Sequence, residues 1–266
     1  MSNGPFNGMA TTYDQVFTNT EIGRLQREKV WEYLDFTFDF NRELSVLELN
    51  CGTGEDAVRF AQRGCTVTAT DISTEMLEIA KTKAEKAGVT DRMKFERLDV
   101  TKITAHYLDH KYDLVFSNFG GLNCVTLPQV RKLQHALWDG LRSRGRFVGV
   151  VMPAKCMMET FYFMSKFQLG KAFRRGRNYV DWVNDKGETH KIYYHAPKRF
   201  TNQFGRRFKT QTILPIGFWV PPSYMQTFFN RHKGWLETLA RWEHSAEHQI
   251  LAGISDHYLV DLKIKN

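Results

Sequence analysis

A regular alternation of short apolar segments with amphipathic segments, between residues 20 and 153, most constrains what this chain can fold into. The expected strands are 44–50, 65–71, 93–100, 112–118 and 145–153, and the expected helices are near 20–34, 55–64, 73–88 and 127–143. Alternation at this spacing predicts a parallel sheet covered by helices on both faces. Ligands of such sheets bind beyond the carboxyl ends of the strands, near the reversal of strand order.

The alternation stops after Pro153. Residues 156–174 are expected to be helical and aromatic, and residues 179–195 to form a hairpin around Asp185-Lys186-Gly187. A strand at 209–220 then returns to the sheet, a helix runs from Pro221-Pro222 to about Glu247, and 257–265 is expected as a last edge strand. The pattern predicts a doubly wound α/β fold with a seven-stranded, mostly parallel sheet, an antiparallel last strand and a helical and hairpin lid insertion.

The charge of the chain is concentrated in one segment. The formal net charge is +8, yet residues 155–209 contain 13 lysines and arginines against 4 acidic residues, so the remainder sums to about −1. No apolar run approaches the roughly 20 residues of a membrane span. The amino terminus lacks the features of a signal peptide, and the four scattered cysteines form no CxxC pair. We therefore expect a cytoplasmic protein without a metal site.

The stretch ELNCGTGEDA, residues 48–57, follows the first strand and resembles a glycine loop that seats a nucleotide. Phosphate normally lies on the free N–H groups of a helix amino terminus. Here Glu55 and Asp56 occupy that first turn and would repel an anion, and Glu48 adds a third carboxylate. The loop therefore favours a ligand with a nucleoside at one end and a cationic amine at the other.

Polar side chains also follow the next three strands. Asp71 ends the second strand, 17 residues after Gly54, close to the ~20 residues that separate a dinucleotide glycine loop from its ribose-binding acid. Asp99 and Asn118 end the third and fourth strands. A carboxylate such as that of Asp71 can accept hydrogen bonds from both ribose hydroxyls, which suits an adenosine-type ligand.

Together, ELNCGTG, ATD, LDV and YDLVFSN resemble, in order and spacing, the motifs of class I S-adenosylmethionine-dependent methyltransferases. The resemblance covers about residues 10–153, and VPPSY and DHYLV are more loosely similar to elements of bacterial small-molecule members. It implies a Rossmann-like core at 20–153, preceded by a cofactor cover at 1–19 and followed by a substrate lid at 154–209 and a completion of the sheet at 210–266. The implied cofactor is S-adenosyl-L-methionine and its product S-adenosyl-L-homocysteine.

The resemblance also implies roles for single residues. The implied cofactor-binding residues are Tyr13, Glu48, Asn50, Gly52, Gly54, Asp71, Ile72, Met76, Asp99, Val100, Asn118 and Phe119. Asp71 matches the ribose acid and Asp99 the acid near the adenine amino group, whereas Tyr13 resembles a tyrosine that closes over the cofactor. Asn50 departs from the family, which usually has glycine there, although Asn tolerates positive φ better than other residues.

Methyl transfer is an in-line displacement at a sulfonium methyl, in which the protein mainly aligns the partners. A base is needed only if the acceptor must lose a proton. Asn118 and His195 are the catalytic candidates, and His190 and His257 are further histidines that could act near neutral pH. Asn123 could orient the acceptor or belong to an ordinary tight turn.

The basic, aromatic insertion should decide the acceptor. It fits a pocket for an apolar or anionic metabolite, an RNA surface or a face that docks on an anionic membrane. The loop SNFGGL lacks the N-P-P-[FY] motif of amino methylation, and the sequence indicates no accessory RNA module. We therefore favour a small-molecule acceptor over nucleic acid, methylated on oxygen or nitrogen. The alternatives are an RNA methyltransferase and a non-catalytic nucleoside-binding protein. A nicotinamide-dependent oxidoreductase fits the loop poorly.

Overall fold

The computed structural model describes residues 13–104, 111–184 and 187–265. Its strands are β1 (Ser45–Leu49), β2 (Thr66–Asp71), β3 (Met93–Arg97), β4 (Tyr112–Ser117), β5 (Leu141–Val151), β6 (Val180–Val183), β7 (Thr189–Ile192), β8 (Phe208–Ile216) and β9 (His257–Ile264). One sheet has seven strands in the order β3-β2-β1-β4-β5-β9-β8. Strands β1 to β5 pair in parallel, and β9 runs antiparallel to both of its neighbours. The predicted doubly wound α/β fold is confirmed.

Helices connect these strands and cover the sheet. They are α1 (Glu21–Thr37), α2 (Glu55–Gln62), α3 (Thr74–Ala87), α4 (Leu127–Gly140), α5 (Met157–Ser165), α6 (Leu169–Ala172), α7 (Pro197–Thr201), α8 (Gln226–Phe229) and α9 (Lys233–Glu243). The Ser73 hydroxyl caps α3 by accepting a hydrogen bond of 3.2 Å from the Met76 amide. Gly88 ends the same helix at φ 68°. Among these described helices, none combines the length and apolar character needed to cross a bilayer.

The central strands are buried on both faces. Successive residues such as Val46 and Leu47 belong to different apolar clusters, as do Leu114 and Val115. Side chains alternate between the two faces of a strand, so each cluster covers one face of the sheet. This arrangement explains why the predicted strands are nearly continuous apolar runs.

The order of strands reverses at β1, which lies between β2 and β4. The chain winds outward from β1 to β2 and β3, and then crosses back to β4 and β5. The loops after β1 and β4 therefore leave in opposite directions, and a crevice forms at the carboxyl ends of these two strands.

Strand β5 begins at Leu141, inside the helix predicted at 127–143, and the predicted helical segment 156–174 is divided into α5 and α6. Two further elements differ in their place or continuity. Strand β9 was expected at the sheet edge but lies between β5 and β8, and β8 forms the edge. The burial of the strands gives the reason, because His257–Leu262 is buried throughout whereas much of β8 is accessible. The helix expected from Pro221 to Glu247 is broken into a 3₁₀ turn at Ser223–Met225, followed by α8 and α9.

The segment between β5 and β8 contains α5, α6, the β6–β7 hairpin and α7. Two residues of the predicted hairpin turn, Asp185 and Lys186, lie outside the described residues. The Asn123 side chain ties the hairpin to the loop after β4, since its Nδ2 donates to the Tyr193 carbonyl at 2.6 Å and to the Met152 carbonyl at 3.1 Å. The hairpin is therefore fixed at the carboxyl edge of the sheet. The division at 19, 153 and 209 stays a prediction.

Candidate active site

A cleft with about 730 Å³ of empty space opens at the carboxyl edge of the sheet, beside β1, β2 and β4. Nine of the residues assigned to the cofactor line it: Tyr13, Asn50, Gly52, Asp71, Ile72, Met76, Asp99, Val100 and Phe119. Ser73, Thr101, Gly121, Cys124 and Val125 complete its wall. We call this space the first cleft. Three other predicted residues, Glu48, Gly54 and Asn118, are not on its wall.

The glycine loop between β1 and α2 uses the left-handed region of the backbone three times. The φ angles of Asn50, Gly52 and Gly54 are 55°, 54° and 79°. A Cβ atom at Gly54 would lie 2.6 Å from Cβ of Ala80, so this glycine permits the close approach of α2 to α3. At Gly52 a Cβ would meet no described atom within 4 Å, so the loop is open there.

Asp71 at the end of β2 holds this loop in place. Its Oδ2 accepts a hydrogen bond of 2.9 Å from the Gly52 amide, and its Oδ1 accepts one of 2.9 Å from the Ser73 amide. Burial raises the pKa of the Asp71 carboxyl, while these backbone hydrogen bonds act in the opposite direction. Each carboxylate oxygen has a second lone pair, so Asp71 can hold the loop and still accept from ligand hydroxyls.

A second carboxylate stands beside an apolar wall of the first cleft. Asp99 Oδ1 accepts hydrogen bonds from the Thr101 amide at 3.0 Å and from the Thr101 hydroxyl at 2.7 Å. Ile72, Met76 and Val100 supply apolar surface to the same cleft. An apolar wall with a hydrogen-bond acceptor at its margin suits a heteroaromatic ring that carries an amino group.

The acidic first turn of α2 does not face a ligand as the sequence suggested. Asp56 forms a buried ion pair with Arg27 and accepts a hydrogen bond of 2.8 Å from Trp31 Nε1. Glu55 pairs with Lys83 at 2.9 Å. Both carboxylates are therefore compensated by cationic side chains within the protein, and neither is available to attract a cationic ligand.

Glu48, unlike Glu55 and Asp56, has a buried carboxylate oxygen without a hydrogen-bond partner in the described part of the chain. The residue is 2% exposed, and its Oε2 has no hydrogen-bond partner among the described residues. Burial, followed by the negative charge of Asp56, raises the pKa of Glu48 well above its usual value. A buried carboxyl without a partner is costly, and a donor supplied by a ligand would relieve that cost.

Asn118 and Phe119 follow β4 but differ in where they point. Asn118 donates to Asp56 Oδ2 at 2.9 Å, so its amide belongs to the buried network around α2. The Phe119 ring lines the first cleft and forms edge-to-face contacts with Phe17 and His257, each with centroids 5.1 Å apart. Phe119 has φ 31°, an uncommon value for a bulky residue that often marks a functional position.

A second cleft, with about 1100 Å³ of empty space, adjoins the first. Tyr13 and Phe119 line both, so they form the partition between the two spaces. The rest of the second cleft is largely aromatic or apolar and includes Phe17, Met152, Trp182, Tyr194 and Tyr224. Burial raises the pKa of Tyr13 to about 12, so its hydroxyl remains protonated at neutral pH.

Asp256 and His257 also line the second cleft, although the sequence indicated only the histidine. His257 Nδ1 lies 3.2 Å from Asp256 Oδ2, which is the distance of an ion pair but does not meet hydrogen-bond geometry. Asp256 Oδ1 accepts a hydrogen bond of 2.6 Å from Arg175. Although burial acts to raise the pKa of Asp256, His257 and Arg175 hold it below its ordinary value, so the carboxylate stays charged.

The other histidines proposed from the sequence lie outside both clefts. His195 is 4% exposed, and its Nε2 lies 2.9 Å from the Val125 carbonyl oxygen. Burial lowers the pKa of His195, so the ring is neutral near pH 7. His190 lies in the hairpin, with Nε2 3.8 Å from Glu188. The pairing of Asp256 with His257 could have been noticed in the sequence, because the two residues are adjacent just before the last strand.

Comparison with known proteins finds methyltransferases. Residues 46–145 match the model of a methyltransferase domain. The chain is 30% identical over 147 residues to tRNA 5-carboxymethoxyuridine methyltransferase of Escherichia coli K12, covering 54% of this chain and 55% of that protein. It is 35% identical over 129 residues to demethylmenaquinone methyltransferase of Leptospira interrogans, covering 47% and 50%. The matches thus span about half the length of these relatives.

The fold extends the similarity beyond the matched segment. A solved S-adenosylmethionine-dependent methyltransferase from Clostridium acetobutylicum aligns with 97% of this chain and 98% of its own, with a TM-score of 0.60 and 13% identity. This likeness concerns the fold alone. The matched segment and the sequence motifs agree, and the chain therefore contains a methyltransferase domain that is similar to those of S-adenosylmethionine-dependent methyltransferases.

Proposed function

We propose that this protein transfers a methyl group from S-adenosylmethionine, bound in the first cleft, to the oxygen or nitrogen of a small molecule held in the second cleft. The observation that carries the proposal is the partition by Tyr13 and Phe119, because these residues border both clefts. A methyl donor on one side and an acceptor on the other would meet there. Alignment of this kind can supply about 7–11 kcal/mol of the barrier.

The residues of the first cleft fit the cofactor. Asp71 would accept hydrogen bonds from the ribose hydroxyls, and the wall of Ile72, Met76 and Val100 would contact the adenine beside Asp99. Glu48 lies behind this wall, and a cationic ligand group that reached its buried Oε2 would supply the missing partner and favour the charged carboxylate. Gly54 supports the proposal indirectly, since it permits the packing of α2 on α3. The bound cofactor would supply an electrophilic methyl group on sulfur.

The second cleft favours a small acceptor over RNA. The relatives leave both open, since one is named for demethylmenaquinone and the other for a tRNA nucleoside. Two of the basic residues at this cleft are used internally, because Arg174 pairs with Glu159 at 2.8 Å and Arg175 with Asp256 at 2.6 Å. They therefore offer little positive charge to phosphate groups, and the aromatic walls suit an apolar or aromatic metabolite.

His257 is the side chain placed best to act as a base. A proton on Nδ1 directed at the Asp256 carboxylate would leave Nε2 as the acceptor, and the negative charge of Asp256 would stabilise the protonated ring. Asp256 would act as a positioning residue, held in turn by Arg175. His195 is proposed instead as a structural residue, and Asn118 as a support for the loop after β4.

Binding of the product tests the cofactor site directly. Titration calorimetry with S-adenosylhomocysteine should give a single site in the wild-type protein. Asp71→Ala should weaken that binding by about 1.5–3 kcal/mol, the scale of charge-assisted hydrogen bonds. Because Asp71 also holds the Gly52 amide, circular dichroism must show that the variant is folded. Equal affinity in a folded Asp71→Ala protein would remove Asp71 from the ligand site.

The acceptor requires a separate experiment. Incubation with S-adenosylmethionine carrying a deuterated methyl group, in a metabolite extract and in a total tRNA fraction, would label the product for mass spectrometry. A labelled metabolite is expected. In His257→Asn its yield at pH 7 should fall sharply, while the variant should still bind S-adenosylhomocysteine. Label in tRNA alone would replace the small-molecule proposal, and full yield in His257→Asn would exclude His257 as the base.

A further inference from the structure

Residues 161–173 present a series of apolar side chains to the solvent. The exposed fractions of Phe161, Met164, Phe167, Leu169 and Phe173 are 63%, 43%, 93%, 59% and 61%. Monomeric soluble proteins rarely expose large contiguous apolar patches, and those that occur often mark an interaction site. These residues belong to α5, α6 and the turns that follow each helix, and Phe161 and Phe173 line one common cavity.

Phe167 is the most prominent member of this series. It connects α5 to α6 in the left-handed region at φ 57°, which is unfavourable for a bulky side chain. The same conformation leaves its ring 93% exposed. Backbone strain and apolar exposure therefore occur at one residue, and burial of the ring in an apolar environment would compensate for both.

An apolar groove continues the surface toward the carboxyl-terminal helices. It runs between α5 and the pair α8–α9, where Phe161 and Tyr162 face Phe228, Trp235 and Trp242. The exposed fractions of Phe228, Trp235 and Trp242 are 41%, 62% and 51%. We call this groove, together with the exposed apolar side chains of residues 161–173, the docking face. Tryptophan and phenylalanine beside basic residues are typical of surfaces that lie in a membrane interface.

The charge of the docking face is positive. Residues 155–179 contain six lysines and arginines and one acidic residue, Glu159; apart from Arg174 and Arg175, which form internal ion pairs, four of these cations remain. Glu159 is 1% exposed and is compensated by Arg174 and Arg175, so it contributes no accessible negative charge. Lys166 and Lys171, in contrast, are exposed next to the apolar side chains. This charge complements an anionic surface.

We propose that the docking face binds the headgroup region of an anionic lipid bilayer, with Phe161 and Phe167 inserted among the acyl chains. Met164 and Leu169 favour lipid over RNA, because aliphatic side chains fit acyl chains whereas single-stranded RNA is bound mainly by stacking on flat rings. The cationic side chains at its margin would contact lipid phosphates.

The docking face also adjoins the second cleft. The Tyr224 ring, which lines that cleft, has its centroid 6.0 Å from that of Phe163 and 6.4 Å from that of Tyr162 on α5. An amphiphile held at the docking face would therefore lie beside the wall of the second cleft. The proposal rests on the proposed function in this respect, and it narrows the acceptor to a lipid-soluble molecule.

Vesicle flotation tests the docking face without knowledge of the acceptor. The full chain should float with vesicles of phosphatidylcholine mixed with phosphatidylglycerol, bind vesicles of phosphatidylcholine alone more weakly, and dissociate as salt is raised. The double variant Phe161→Ser/Phe167→Ser should lower the partition into anionic vesicles by about tenfold or more. Phe36→Ser is the matched control, because Phe36 is 91% exposed but lies in α1 and outside the docking face. It should bind like the wild type.

A second pair of variants separates charge from apolar insertion. Lys166→Gln/Lys171→Gln should weaken binding to anionic vesicles and reduce its salt dependence, whereas the exposed pair Lys86→Gln/Lys132→Gln, on α3 and α4, should change binding less. An equal loss of vesicle binding in both double variants would indicate that net charge alone attracts the protein to the vesicles. That result would overturn the proposal of a defined docking face.

Three other results would overturn the proposal. The first is full flotation of the Phe161→Ser/Phe167→Ser protein. The second is a dimer in light scattering that this double variant abolishes, which would make a second copy of the chain the partner. The third is binding of a tRNA probe that depends on Phe161 and Phe167 while vesicles are ignored. Calorimetry with S-adenosylhomocysteine on the same proteins keeps the two proposals distinct, since loss of vesicle binding with intact product binding overturns the docking face alone.

Discussion

Asn50 shows how a glycine loop can accommodate a side chain at a position where the family usually has none. It adopts φ 55°, and a Cβ atom added to Gly121 would lie 2.5 Å from the Asn50 Cβ. The Asn50 side chain therefore occupies space that is free only because residue 121, in the loop after β4, is a glycine. The two positions form one packing unit, although they are far apart in the sequence.

This packing predicts a coupling between positions 50 and 121. Gly121→Ala should destabilise the protein by about 1–3 kcal/mol, because the new methyl group overlaps Asn50. Asn50→Gly alone should change the free energy of unfolding by less than ~1 kcal/mol. The double variant should recover most of the loss, as urea denaturation of all four proteins would measure in a double-mutant cycle. Additive effects would contradict the coupling.

Glu48 makes the stability of the ligand-free protein depend on pH. Its folded-state pKa is raised by burial and by the charge of Asp56, with a smaller repulsion from Asp71 and an opposing attraction from Arg27. The folded state thus binds a proton more tightly than the unfolded state. The stabilisation is present below the unfolded pKa of about 4.3 and is lost as the pH rises toward the folded pKa.

The corresponding variant is Glu48→Gln, which cannot ionise. Between pH 5 and pH 8 the wild-type protein should lose stability relative to this variant, as urea denaturation at both pH values would measure. The sign is the opposite of that for a salt-bridged acid such as Asp256. An identical pH dependence in both proteins would show that Glu48 keeps an ordinary pKa.

Several site residues could be placed from the sequence because they follow directly from strand ends. Asp71 and Asp99 line the first cleft as that argument implies. The roles of Glu55 and Asp56 could not be foreseen, because their compensation depends on Lys83 and Arg27, which come from other helices. The orientation of Asn118 toward Asp56 could not be predicted either, because the two residues belong to different parts of the chain.

At the scale of secondary structure, local signals were sufficient for most elements. Ser73 and Gly88 bound α3 as predicted, and the apolar runs gave β1, β2 and β4 to within two residues. The order of β8 and β9 was not predictable locally, since the sequence of a strand does not specify which strands it pairs with. Their positions in the sheet follow from burial: the strand that is buried on both faces lies inside the sheet, and the more accessible strand forms its edge.

The attachment of the hairpin gives a prediction at this scale. Asn123 is fully buried, and its side chain bonds the Met152 amide as well as the Met152 and Tyr193 carbonyls. Asn123→Ala would leave these groups unsatisfied and should cost about 1–3 kcal/mol, measured by urea denaturation. Limited proteolysis within residues 180–192 should become faster, whereas affinity for S-adenosylhomocysteine should change little. Strongly weakened product binding would instead place Asn123 in the cofactor site.

At the scale of the whole molecule, the two clefts are assembled from opposite ends of the sequence. Tyr13 and Phe17 come from the beginning of the described chain, Tyr224 and His257 come from its last fifth, and they meet across Phe119. The sequence motifs concern the first cleft only, which is why the cofactor could be predicted and the acceptor could not.

This arrangement predicts where the product protects the backbone from hydrogen exchange. At short exchange times, before the buried strands exchange, S-adenosylhomocysteine should slow exchange in residues 50–54, 71–76, 99–103 and 118–125, because a ligand suppresses local opening of the loops it contacts. Residues 180–192 of the hairpin should change less. Mass spectrometry on Asp71→Ala at the same ligand concentration provides the control, and its pattern should resemble that of the ligand-free protein. Protection confined to the hairpin would place the product in the second cleft instead of the first and would reverse the proposed roles of the two spaces.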